Sequence, residues 1–162
     1  MSLRHALGVV LIAGTAVWLG TAAPARAQAP AASPGPGASG FQANCAVCHG
    51  PAGAGIPSLA PPLVSNPARF AESTEGRRQL AMTVLYGMYG DIVVADKHYD
   101  FRMPDFARLD DATLAAILNF VVFDIAHAPA SVKPLEAAEL GAERGKALDG
   151  AAVREHRKTV AP

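Results

Sequence analysis

The chain has 162 residues, 14 Lys+Arg against 14 Asp+Glu, and a hydrophobic fraction of 51%. That length fits one domain with a targeting segment attached, and the balanced charge excludes the basic footprint that nucleic-acid binding requires. Its two cysteines, Cys45 and Cys48, lie too close together for a useful structural bridge, because a disulfide's benefit grows with the loop it closes.

Residues 1–27 read as a secretory signal peptide. Arg4 and His5 make a short basic start, an uncharged apolar run covers residues 6–23, and Ala25-Arg26-Ala27 supplies the small residues that a signal peptidase reads. Arg4 and Arg26 would leave with it, taking Lys+Arg from 14 to 12 against 14 Asp+Glu, a formal charge of about −2. The expected location is therefore periplasmic, with membrane attachment only if the signal stays uncleaved. Residues 28–37, rich in Pro, Gly, Ala and Ser, read as a flexible linker. A domain is expected over residues 38–128, followed by a polar, partly helical extension over 129–162.

Within the domain, a short helix is expected to begin near Ala38 and run into the cysteines. Residues 50–67 are dense in Gly and Pro and read as an irregular loop. Leu80, Val84 and Leu85 recur at helical spacing, which predicts a helix over 74–87 with Ser73 or Thr74 as cap and Gly87 as stop. Residues 89–106 read as irregular, with no convincing strand despite Val93-Val94. The strongest helix signal covers 110–126, where Leu114, Ile117, Leu118, Val121 and Val122 form one apolar stripe. Two short helices, over 135–148 and 151–158, are expected in the tail. The class is all-α, with loops long enough to need something to wrap around.

Cys45-Ala46-Val47-Cys48-His49 is a C-x-x-C-H motif, the attachment signature of c-type haem. The thiols add to the two vinyl groups of haem, and a two-residue spacer on a helical turn sets their separation. The next residue, His49, is then held against the iron as an axial ligand. A thioredoxin-like dithiol would need a βαβ context, and a zinc site would need further ligands. One covalently bound haem c with its iron is expected, and no catalytic residue.

The motif continues as Asn44 through Gly50, Gly53, Gly55, Pro57 and Pro61-Pro62-Leu63. Then come Val84-Leu85-Tyr86-Gly87, Gly90, Tyr99, Met103-Pro104, Phe106 and Leu109-Asp110-Asp111. Over residues 41–126 this pattern resembles class I cytochrome c, in particular the small periplasmic cytochromes that serve dehydrogenases. The resemblance implies a compact all-α fold around one haem, with the N- and C-terminal helices crossing and Phe41 packed on Ile117 and Phe120.

Both its loop context and the resemblance point to Met103 as the second axial ligand. Pro104 keeps the residue before it extended, and a thioether ligand raises the reduction potential. His98 and Met88 remain as alternatives, although Met82 and Met88 flank a helical stripe and read as core. The resemblance also implies that the Pro61 carbonyl accepts a hydrogen bond from the second ring nitrogen of His49. Tyr99 and Arg102, with Tyr89, are candidates for contact with the haem propionates. The implied function is that of an electron carrier rather than an enzyme, between a periplasmic dehydrogenase as donor and an oxidase or another cytochrome as acceptor. Two other readings are a dedicated haem subunit of a dehydrogenase complex and a haem-based ligand sensor, the latter requiring Met103 to leave the iron.

Overall fold

The computed structural model of the protein describes residues 34–161, so the expected signal and most of the expected linker lie outside it. Seven α-helices, one π-helical segment and a two-stranded antiparallel sheet make up the described residues. The all-α expectation holds for the class and misses the small sheet.

Helix α1 (Pro36–Asn44) starts on a proline, whose fixed φ suits a first helical turn and whose missing N–H would have no partner there. It therefore begins two residues before Ala38 and takes in the last two linker positions. Its glycines serve a close crossing over α5 (Asp111–Asn119): a Cβ on Gly37 would collide with the Ala116 carbonyl. The crossing buries Phe41 completely against Ile117, Val121 and Ile125, with its ring 5.5 Å from that of Phe120. Burying one such ring contributes roughly 2–3 kcal/mol.

Cys45 separates α1 from α2 (Ala46–His49), which stops at Gly50 with φ +77°. The loop that follows folds back on itself through Gly55 N–H to the His49 carbonyl at 2.8 Å and Leu63 N–H to the Gly53 carbonyl at 2.7 Å. Its last residues differ from the irregular expectation by forming α3 (Asn66–Phe70). Pro67 sits in the first turn, where proline favours a helix rather than breaking it, and Ala68 and Phe70 supply the buried side.

Helix α4 (Thr74–Tyr86) is capped by Ser73, whose hydroxyl accepts from Gly76 N–H at 3.0 Å, and ends at Gly87. The irregular reading of 89–106 is corrected by a hairpin, β1 (Ile92–Val94) with β2 (Lys97–Tyr99), in register Ile92 to Tyr99. Ala95 and Asp96 both take positive φ, the geometry of a two-residue turn matched to strand twist. Three-residue strands are too short to display alternation, and Ala-Asp is not the usual turn pair.

Helix α5 opens on Asp110, which accepts from Thr113 N–H at 2.7 Å. It passes into the π-helical segment Phe120–Ile125, which buries Val121, Val122 and Ile125. The tail forms α6 (Ala137–Glu143) and α7 (Gly150–Val160). Val132, Leu135 and Leu140 belong to the same apolar cluster as Leu85, Leu114 and Val122, so the core does not end at residue 128. Arg77 fastens α4 to the tail through Glu139 at 2.7 Å and the Lys133 and Pro134 carbonyls. Arg144 does the same for α5 through Asp111 at 2.7 Å and the Leu109 carbonyl.

Candidate functional site

The turn between α1 and α2 places Cys45, Cys48 and His49 within five residues, both cysteines as unbridged thiols. Burial, reinforced by the neighbouring Cys48, pushes the Cys45 thiol up to about 11. His49 is 8% exposed, and its Nδ1 lies 2.9 Å from the Pro61 carbonyl. An amide carbonyl can only accept, so Nδ1 carries the proton and Nε2 is left with a free lone pair. Burial lowers the pKa of His49, and the Pro61 bond opposes that only in part. The imidazole is thus neutral, oriented and ready to donate to a metal.

His49 opens onto two adjoining clefts. Both are walled by Cys45, His49, Pro61, Met88, Ile92 and Met103, so they flank one axis that runs from the histidine to the two methionines. Phe41, Leu80, Val84, Leu118 and Val121 make the first cleft largely apolar. Met103 is held by a backbone exchange with Met88, N–H to carbonyl at 2.8 and 3.1 Å in the two directions. Gly87 permits this approach: its φ is +70°, and a Cβ there would collide with the Met103 carbonyl. Met82, 2% exposed, is core as expected, whereas Met88 stands on the cleft wall.

Other residues picked out in the sequence fall on both sides of this boundary. Tyr99 is 6% exposed and lines the second cleft together with Arg102, whose guanidinium lies 5.2 Å from the centre of the Tyr89 ring. His98 points into solvent, its Nδ1 2.9 Å from Asp91, and lines neither cleft. Gln79 and Arg157 line the first cleft and were not anticipated. Nothing local marks them: Gln79 sits inside a helix, and Arg157 belongs to a tail whose fold depends on long-range packing. Among the described residues no group of three or more His, Cys, Asp or Glu is placed to hold a bare metal ion.

Two thiols, one oriented imidazole and a continuous apolar slot fit a flat, covalently held porphyrin. The cytochrome c family model matches residues 35–122. The chain belongs to the cytochrome c family. It is 36% identical over 120 residues to two proteins named cytochrome c-552, both from Thermus thermophilus. The match covers 73% of this chain in both cases, with 92% and 81% of the respective relatives. As a cytochrome c, the protein carries haem c covalently through Cys45 and Cys48, with His49 completing the motif, and is an electron carrier rather than an enzyme.

Proposed function

We propose that the protein is a periplasmic one-electron carrier with His49 and Met103 as the axial ligands of its haem iron. It takes electrons from a dehydrogenase and passes them to an oxidase or another cytochrome. Haem supplies an iron that alternates between the ferric and ferrous states. The chain's part is to hold the ligands still and keep water away. Pro61 fixes the ring of His49 through Nδ1–H, which leaves Nε2 aimed outward and makes it a better donor. Met103 is tied by two backbone hydrogen bonds rather than left on a free loop. The observation that carries the ligand assignment is the place of Met103: it shares both clefts with His49, as Met88 does, and it alone of the two precedes a proline in a loop. His98 is drawn away to Asp91 and has no place on that axis.

Export is supported by the apolar run over residues 6–23 and the Ala25-Arg26-Ala27 triplet, and by the attachment motif itself. No helix among the described residues is long and apolar enough to cross a membrane. The Pro61 carbonyl, acting on His49, completes the proposed site.

Absorption spectra of the haem-loaded protein and a Met103→Ala variant test the assignment. The oxidised wild type should show the weak long-wavelength band of methionine-ligated ferric haem, and the variant should lose it and bind carbon monoxide when reduced. A wild-type protein that binds carbon monoxide readily would instead mark an open iron and a ligand-binding role.

A further inference from the structure

The two clefts differ in the polar groups on their walls. Haem carries its vinyl groups on two adjacent pyrroles and its two propionates on the other pair, so the carboxylates leave the ring away from the thioether side. Cys48 lines only the second cleft, the one that also holds Tyr99 and Arg102. Cys45 lines both clefts; the first, which lacks Cys48, extends to Gln79 from α4 and Arg157 from α7.

Both side chains have donors to spare. Gln79 is 2% exposed; its Oε1 accepts from His156 Nδ1 at 2.7 Å, and its Nε2 donates to Thr83 Oγ1 at 3.0 Å. The Thr83 hydroxyl in turn donates to the Gln79 carbonyl at 2.8 Å. That leaves the second amide hydrogen of Gln79 with no acceptor among the described residues. Arg157 lies over the Phe70 ring at 5.8 Å, and no described carboxylate or carbonyl accepts from it. Burial alone acts on its guanidinium, lowering its pKa. The half-buried Arg157 guanidinium and the second Gln79 amide hydrogen thus face the first cleft without an acceptor among the described residues, and a carboxylate accepts from a guanidinium and an amide together.

We infer that Arg157 and Gln79 form the binding site for a haem propionate, so that helix α7 contributes a charge to the environment of the iron. This rests on covalent haem attachment at Cys45 and Cys48. It places one of the two carboxylates in the first cleft, which adjoins the one that Tyr99 and Arg102 line. A positive charge near the iron favours the less positive ferrous state, so removing it lowers the reduction potential.

The test is the reduction potential of haem-loaded wild type, Arg157→Gln, Arg157→Lys and Lys158→Gln, with thermal unfolding followed for each. Lys158 is the next residue, exposed and paired with Glu155 at 2.8 Å. Arg157→Gln should weaken reduction about threefold or more, about 30 mV at 59 mV per decade for one electron. Arg157→Lys should keep most of the potential, and Lys158→Gln should keep all of it. An unchanged potential in Arg157→Gln overturns the inference, as does an equal drop in Lys158→Gln or Arg157→Lys. A wild type without covalent haem would overturn the functional reading as well, whereas haem bound with an insensitive potential overturns this inference alone.

Discussion

The two ends of the proposed haem axis are built differently. His49 is placed by neighbours in the chain: a helical turn brings it beside the cysteines, and Pro61, twelve residues on, fixes its ring. Met103 is placed by partners from elsewhere, through the exchange with Met88 and the bare approach of Gly87, with the neighbouring Phe106 N–H anchored on the Val84 carbonyl at 2.8 Å. The histidine end tolerates loosening of the rest of the fold, because its geometry closes locally. The methionine end depends on α4, the hairpin and α5 all being in register. Ligand loss should therefore begin at Met103 under almost any stress.

The largest effect that would sharpen this contrast is expected at the helix crossing. Phe41→Ala should cost about 3–5 kcal/mol in denaturant unfolding, by removing a fully buried ring from between α1 and α5. Leu140→Ala should cost about 2–5 kcal/mol, since Leu140 is fully buried in the cluster that backs α4 and α5. A tail that only covered the domain would give a far smaller loss. Gly87→Ala should cost roughly 1–3 kcal/mol through strain at positive φ, and should weaken the methionine–iron band while leaving haem attachment intact. If attachment falls as much as the band does, the two ends are not independent.

The smallest and most selective effect should come from acid. Glu139 is held below the usual carboxylate range chiefly by its hydrogen bond to Arg77, and Asp149 chiefly by the Ala152 N–H, with Tyr89 assisting. A depressed pKa in the folded state means that the stabilisation is present above the ordinary carboxylate range. It is lost as pH falls through the depressed values. Amide hydrogen exchange in α6 and α7 should thus quicken below about pH 4 before exchange in α1 does. Simultaneous quickening would show that the tail and the core open as one unit.

How much of this was legible in the sequence follows the same divide. Cys45, Cys48 and His49, the caps at Ser73 and Asp110, and the stop at Gly87 are local signals, and each could be read from a few adjacent residues. Phe41 on Phe120 was accessible only through family likeness. The hairpin was hidden because its strands have three residues each and its turn lacks the usual pair. Helix α3 was hidden by the prolines around it, one of which starts it. The tail looked polar because Leu135, Leu140 and Val153 are scattered among charges, although Leu140 and Val153 are fully buried. Gln79 and Arg157 were beyond reach, since only the docking of α7 on α4 brings them to the same cleft.

That docking also bears on the order in which the molecule is completed. The attachment motif lies near the start of the domain, and Arg157 follows it by more than a hundred residues. In the proposed export the cysteines emerge before α7, which supplies the Arg157 wall of the first cleft. The porphyrin can therefore be stitched to an open cradle, with the last helix arriving as a latch over a cargo already in place.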